Sequence, residues 1–120
     1  MSWVVLFDDA FAAEFRRFDE PVRKAILTYA KVLESLGPQL GRPYADTLNG
    51  SRHRNMKELR PTVDTIEWRV AFTFDPRRRA ILLTAAAKGG RKDRLVYKRL
   101  IDLADARFDA YLDDAQDPRS

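Results

Sequence analysis

The stretch that decides the fold is IEWRVAFTF, residues 66–74 of a 120-residue chain. Large apolar side chains alternate there with polar or small ones, and a period of two predicts a β-strand with one face towards the core. The apolar face is formed by Ile66, Trp68, Val70, Phe72 and Phe74. We therefore expect Glu67 and Arg69 to project from the opposite, outer face.

Two further strands are predicted beside this one. The turn sequence DPRRR, residues 75–79, precedes residues 80–87, which are expected to return as the second strand of an antiparallel hairpin. In that strand Ile81, Leu83 and Ala85 are assigned to the core and Lys88 to the outer face. In a short strand at residues 56–60, Leu59 points inwards, so Glu58 and Arg60 point outwards.

The rest of the chain adds one strand and three helices. Residues 3–7 are β-branched, aromatic or aliphatic and predict a first strand. Apolar residues at helical spacing predict helices after Asp8, from Asp19 to Leu36, and from about Asp93. Residues 37–55 are expected to form a loop with one helical turn near residues 44–48. The order β-α-α-β-β-β-α predicts an α+β fold in which helices pack on an antiparallel sheet.

Composition excludes several kinds of site. The chain has no cysteine and one histidine, so disulfides, thiolate metal sites and a zinc site are not expected, and we predict no cofactor. No run of about 18 apolar residues and no basic leader followed by an apolar segment is present. We expect the protein to stay in the cytoplasm.

Positive charge is concentrated in the middle of the chain. Residues 1–41 carry five Lys/Arg and six Asp/Glu, residues 42–99 carry fifteen and six, and residues 100–120 carry two and six. The net charges of these segments are −1, +9 and −4, which add to the total of +4. Such segregation attracts phosphates and indicates a polyanionic partner, of which RNA fits best, although a solvated charged surface is the alternative.

Four outward-facing charged residues are candidates for RNA cleavage by the 2′-hydroxyl. Arg60 and Arg69 would stabilise the charge on the phosphate, and Lys88 would neutralise the leaving oxygen. Glu58 would accept the proton of the attacking hydroxyl, or would only pair with Arg69 across the strands. His53 is a second possible base or a plain surface residue, and Tyr97 is either a proton donor or a core residue.

Basic residues on both sides of these four are predicted to contact the RNA backbone. They are Arg52, His53, Arg54, Lys57, Arg91, Lys92 and Arg94. Lys57 shares the inward face of Leu59, so it could instead extend along an edge without chemical function.

Several strings resemble the RelE/HigB-like toxins of type II toxin–antitoxin systems, especially their phage-derived branch. They are GSRHRNMKELR at 50–60, WRVAF at 68–72, DPRR at 75–78, AILL at 80–83, and YKRLI at 97–101 followed by Ala104-Asp105. The resemblance implies one toxin domain over residues 1–115, followed by a frayed tail at 116–120.

The resemblance also implies a function. Such toxins are mRNA endoribonucleases that cut in the ribosomal A site without a metal, and a HigA-like helix-turn-helix antitoxin neutralises them. The family function maps best onto Glu58, Arg60, Arg69 and Lys88. The chain departs from the family at AAKGG, residues 86–90, where an acidic neighbour of Lys88 is missing. A ParE-like gyrase inhibitor and a non-catalytic RNA-binding module remain alternatives.

Overall fold

The helices and strands follow the predicted order, with two short strands added. The structure is a computed structural model and describes residues 2–88 and 93–116. The helices are α1 (Asp9–Phe15), α2 (Glu20–Leu36) and α3 (Asp93–Gln116), with a short 3-10 helix at Gly37–Gln39. The strands are β1 (Val4–Phe7), β2 (Ala45–Thr47), β3 (Lys57–Leu59), β4 (Thr62–Val63), β5 (Ile66–Phe74) and β6 (Arg79–Lys88). Within the described ranges, no helix has the length and apolar character needed to cross a membrane.

The strands form one mixed sheet in the order β1-β6-β5-β3-β2, with β4 attached to β5. The β5–β6 hairpin and the β3–β5 pair are antiparallel, as predicted, and β2, which was not predicted, pairs antiparallel with β3 at the edge. The prediction of a wholly antiparallel sheet is wrong at one place, because β1 runs parallel to β6. The helical turn expected near residues 44–48 is also wrong, since Ala45–Thr47 forms an edge strand against β3.

Both faces of the sheet are covered by helices. On one face α1 and α2 contribute Phe11, Ile26 and Leu33 to a core with Val70 and Phe72. On the other face, α3 packs against the sheet in a second core, formed by Leu48, Met56, Ala71, Ile81, Leu83, Leu100, Ala104 and Phe108. The assignment of Ile81 and Leu83 to the same face as Leu59 was therefore wrong. The three layers leave no solvent-exposed sheet face at the centre of β5.

Polar contacts fasten α3 to α1, to β6 and to the β5–β6 turn. Arg107 donates to both carboxylate oxygens of Glu14 in α1 and to the carbonyl oxygen of Leu83 in β6, at 2.9, 2.5 and 2.9 Å. At the hairpin turn, the Tyr111 hydroxyl accepts from Arg79 and donates to Asp75, each at 2.6 Å. Burial and the hydrogen bond to Asp75 raise the pKa of Tyr111 to about 12. These bonds fix the position of α3 over the sheet.

Candidate active site

The four predicted catalytic residues lie in one chain of ion pairs across β3, β5 and β6. Arg60 Nη1 lies 2.7 Å from Glu58 Oε2, and Arg69 Nε lies 3.5 Å from the same oxygen. Arg69 Nη2 and Lys88 Nζ lie 3.4 and 3.6 Å from Glu67 Oε2. The structure thus brings Glu58, Arg60, Arg69 and Lys88 together, with Glu67 as the link. We call these five residues the charged network.

Strand register explains why the network forms. Glu67 stands directly opposite Lys88 in the β5–β6 pair, and cross-strand neighbours on one face are close enough to interact. Glu58 stands opposite Ala71, and Arg69 opposite Ala86. Because these partners are small, the longer side chains of Glu58 and Arg69 have room to extend across the sheet towards each other.

Burial divides the network into an inner and an outer part. The side chains of Arg69 and Glu58 are only 2% and 5% exposed. Arg60 is 24% exposed, Lys88 34% and Glu67 50%. The expectation that this face is open to solvent is therefore wrong for Arg69 and Glu58, because α3 covers them. Arg60 and Lys88 are the cations of the network that are partly exposed to solvent.

Tyr97 of α3 closes the inner part of the network. Its hydroxyl donates to Glu58 Oε1 at 3.1 Å and accepts from Arg69 Nε at 3.0 Å. Burial and the negative charge of Glu58 raise the pKa of Tyr97, so its hydroxyl stays protonated at neutral pH. The sequence left Tyr97 between a core and a catalytic role, and the structure places its hydroxyl on two of the predicted catalytic side chains.

Two cavities adjoin the network on either side of the Arg69–Tyr97 hydrogen bond. One, of about 330 Å³, is lined by Tyr29, Arg42, Pro43, Arg60, Thr62, Glu67 and Arg69. The other, of about 350 Å³, is lined by Gly50, Arg94, Tyr97, Lys98, Ile101 and Asp102. Arg69 lines the first of these cavities, which therefore extends from solvent to this residue.

Two of the residues predicted to contact RNA face α3. Arg52 pairs with Asp109, and His53 Nε2 lies 2.7 Å from the same carboxylate. The Arg52 and His53 side chains lower the pKa of Asp109 by hydrogen bonding to its charged form. The Ser51 hydroxyl and the Arg52 amide donate to Asp105. The 51–53 loop is therefore fastened to α3, and Asp109 partly neutralises its positive charge.

The other predicted RNA contacts are more dispersed. Arg54 is exposed, and Lys57 is half-buried in the strand next to Leu59. Arg94 is exposed and lines the cavity that Tyr97 also lines. Arg91 and Lys92, like the tail at 117–120, lie outside the described residues. Among residues 2–88 and 93–116, no three His, Asp or Glu side chains are grouped so that they could hold a metal ion.

Comparison with known proteins gives consistent matches. The family model "Phage derived protein Gp49-like" matches residues 13–109. The chain is 39% identical over 112 residues to "Putative toxin HigB2" of Mycobacterium tuberculosis (strain ATCC 25618 / H37Rv), over 92% of this chain and 55% of that protein. It is 47% identical over 81 residues to "Putative toxin HigB3" of the same strain, over 68% of each chain. It thus spans about half the length of one of these relatives and two thirds of the other.

A solved structure confirms the fold. The free state of a double-arginine mutant of the E. coli toxin RelE matches with a TM-score of 0.56, over 84% of this chain and 99% of that one. The sequence identity is 12%, so this likeness shows the α+β fold alone. The RelE-like architecture expected from the sequence is confirmed.

Proposed function

The chain belongs to the family of phage-derived Gp49-like proteins, and on that premise we propose that it is a toxin that cuts mRNA in the ribosomal A site. Two relatives bear the name of toxins, HigB2 and HigB3. The observation that carries the proposal is the charged network. In it, Arg60 and Arg69 pair with Glu58, and Arg69 and Lys88 pair with Glu67. The Tyr97 hydroxyl donates to Glu58 beside them. Cations in fixed positions suit a reaction whose transition state carries extra negative charge on phosphate.

The proposed reaction is an internal transfer of the RNA phosphate. The 2′-oxygen attacks phosphorus and forms a new O–P bond, while the bond from phosphorus to the 5′-oxygen of the next nucleotide breaks. One proton leaves the 2′-hydroxyl and one is delivered to the 5′-oxygen. The products are a 2′,3′-cyclic phosphate and a 5′-hydroxyl end, so atoms and electrons balance without a further reactant.

We assign the stabilisation of the phosphate to side-chain cations rather than to a metal ion. Arg60 is partly exposed, and its planar guanidinium can pair with two phosphate oxygens at once. Arg69 would support the same phosphate from the wall of the 330 Å³ cavity. Lys88, at the open end of the network, would neutralise the leaving 5′-oxygen. Since these groups are already held in place, little reorganisation is needed when the charge develops.

We assign the two proton transfers to Tyr97 and Glu58, which lie in the buried part of the site. Tyr97 keeps its proton at neutral pH, so it is suited to donate to the leaving oxygen. Glu58 is the nearest carboxylate, but both its oxygens already accept hydrogen bonds. It acts as base only after one of these bonds opens, and until then it orients Arg60. His53 is held by Asp109, so it is the weaker candidate for the base.

An antitoxin completes the proposal. Because both relatives are named as toxins, we propose that a HigA-like helix-turn-helix protein encoded beside this chain binds and neutralises it. Its expression together with this chain should restore growth.

The test is induction of the chain in a bacterial host with and without that antitoxin, with the 5′ ends of cellular mRNA mapped. We expect growth arrest and new 5′-hydroxyl ends within translated codons. Arg60→Gln and Lys88→Gln remove partly exposed cations, and each should slow cleavage by about 10²- to 10³-fold. Arg16→Gln, which removes an exposed arginine just after α1, should have no effect.

The rival functions predict different results. Intact transcripts together with an SOS response would indicate a gyrase inhibitor of the ParE kind. RNA binding without growth arrest would indicate a binding module. Either result would overturn the proposed cleavage.

A further inference from the structure

The 330 Å³ cavity next to the charged network has features that mRNA cleavage at the network does not by itself require. It extends from Arg60 and Arg69 to Tyr29 in α2 and to Arg42 in the segment before β2. We propose that this cavity, here called the Tyr29 cavity, binds one nucleotide of single-stranded RNA adjoining the cleaved phosphate. The proposal rests on the proposed function, and it names the substrate unit and the residues that would hold it.

Continuity with the network is the first argument. Arg60 and Arg69, the two arginines assigned to the phosphate, form part of the cavity wall. Arg69 lines this cavity and its side chain is only 2% exposed, so a phosphate in contact with it would lie against the cavity wall. The nucleotide attached to that phosphate then lies within the cavity or at its mouth.

Size and charge fit one nucleotide. The volume of 330 Å³ is at the lower end of the range of about 300–1,000 Å³ for ligand cavities, so it suits one small unit of a polymer. The lining holds three arginines and one glutamate, which gives a formal charge of +2. A cavity of this charge favours an anionic ligand over a neutral one.

Tyr29 supplies an aromatic surface. It is half-buried, and its ring packs edge-on against Tyr44, with ring centroids 5.6 Å apart and an interplanar angle of 64°. This contact holds the ring in one orientation beside the arginines. Bases stack on aromatic side chains regardless of base identity, and loss of such a surface weakens binding about 5- to 150-fold per base.

Arg42 supplies a cation that is free to change partners. Its side chain is 72% exposed and pairs with Asp46, which is 35% exposed, at 2.8 Å. Exposed pairs of this kind are weak, so a phosphate can displace the carboxylate. The segment that carries Arg42 is fixed, because the amides of Tyr44 and Ala45 both donate to the carbonyl oxygen of Gly41 at 3.0 Å. The backbone that carries Arg42 is thus held beside the cavity, while its guanidinium can move between Asp46 and a phosphate.

The test uses an RNA hexanucleotide with 2′-O-methyl groups, which the proposed reaction cannot cut. Its affinity for the whole chain is measured at several salt concentrations. Tyr29→Leu should weaken binding about 5- to 150-fold, whereas Tyr29→Phe, which keeps the ring, should bind as the wild type does. Arg42→Ala should reduce the slope of log affinity against log salt by about 0.7, the value for one lost phosphate contact on a single strand.

Arg16→Ala is the matched control, since it removes an exposed arginine that does not line the cavity. It should leave both the affinity and the salt slope unchanged. Thermal unfolding of each variant shows that it is folded. If Tyr29→Leu fails to fold, the salt slope of Arg42→Ala decides the question, because a merely structural arginine would not change it.

The outcomes separate this inference from the proposed function. In one outcome, the wild type cuts mRNA, but the Tyr29 and Arg42 variants bind the hexanucleotide as tightly as the wild type and with the same salt slope. This result would overturn binding in the Tyr29 cavity and leave the proposed cleavage unaffected. In another outcome, the wild type cuts no RNA but binds the hexanucleotide, and Tyr29→Leu weakens that binding. This result would support nucleotide binding in the Tyr29 cavity and overturn the proposed cleavage. Wild type that does neither would overturn both.

Discussion

Removal of the Tyr97 hydroxyl can separate a catalytic role from a structural one, because a second tyrosine hydroxyl in α3 also bridges an arginine and a carboxylate. Tyr97 bridges Arg69 and Glu58, at 3.0 and 3.1 Å. Tyr111 bridges Arg79 and Asp75, at 2.6 Å each. Both tyrosines belong to α3, but only Tyr97 touches the charged network. Tyr97→Phe and Tyr111→Phe therefore form a matched pair.

The two variants should lose similar stability. A hydrogen bond to a charged group contributes about 1.5–3 kcal/mol, but Tyr97 is partly exposed, and water can replace part of what is lost. We expect each substitution to lower the free energy of unfolding by about 1–2 kcal/mol, which for a chain of this size lowers Tm by roughly 4–8 °C. Circular dichroism during heating measures this change.

Cleavage should distinguish the pair. If the Tyr97 hydroxyl donates the proton to the leaving oxygen, its loss slows cleavage by about 10²- to 10⁴-fold. Tyr111→Phe should cut at the wild-type rate at a temperature where both variants are folded. The assay is single-turnover cleavage of mRNA on programmed ribosomes. Equal rates for the two variants would refute the role of Tyr97 as proton donor.

Two other predictions concern the scaffold. The pKa of Tyr111 is about 12 in the folded protein and about 10 in an unfolded chain. The hydrogen bond from Tyr111 to Asp75 therefore contributes its full stability below a pH of about 10, and this contribution is lost as the pH rises towards 12. The stability difference between wild type and Tyr111→Phe, measured by urea unfolding, should shrink over that pH range; a constant difference would contradict the assignment. Gly37 has a positive φ of 55°, and a Cβ there would overlap the indole of Trp3, whereas a Cβ at Gly41 meets nothing within 4 Å. Gly37→Ala should therefore destabilise the fold by more than about 1 kcal/mol and Gly41→Ala should not, and equal midpoints of urea unfolding would show the reasoning to be wrong.

The sequence predicted those strands and turns that depend only on residues close together in the chain. The alternation in residues 66–74 gave the bounds of β5, and the β5–β6 hairpin follows from its turn sequence. Long-range pairing was not predictable in this way. The parallel contact of β1 with β6 joins residues more than 70 positions apart, and no periodicity in either segment specifies the partner. Edge strand β2 was not predicted because its three residues lie in a stretch rich in Gly, Pro and Asn, which is typical of a loop.

The grouping of the site residues was predictable, but their burial was not. Alternation assigned Glu58 and Arg69 to one face, and the structure agrees. It could not tell whether another layer covers that face. Other residues indicated that a layer covers this face. Ala71 on the same face is small and apolar, and the apolar face of α3, with Ala104 and Phe108, needs a surface to pack on. If the apolar face of α3 had been assigned to the second face of the sheet, the contact of Tyr97 with Glu58 and Arg69 could have been predicted.

The two carboxylates of the charged network cannot have the same role if phosphate binds there. Glu58 is buried, and its carboxylate accepts from Arg60 at 2.7 Å and from the Tyr97 hydroxyl at 3.1 Å, so its displacement would break both of these hydrogen bonds. Glu67 is half exposed, and its distances of 3.4 and 3.6 Å to Arg69 and Lys88 indicate weaker contacts. A phosphate that replaces Glu67 gains the charges of both cations and costs the fold little. If the proposed function is right, Glu67 is therefore the carboxylate that RNA would displace, and Glu58 is the group that would keep the arginines in place.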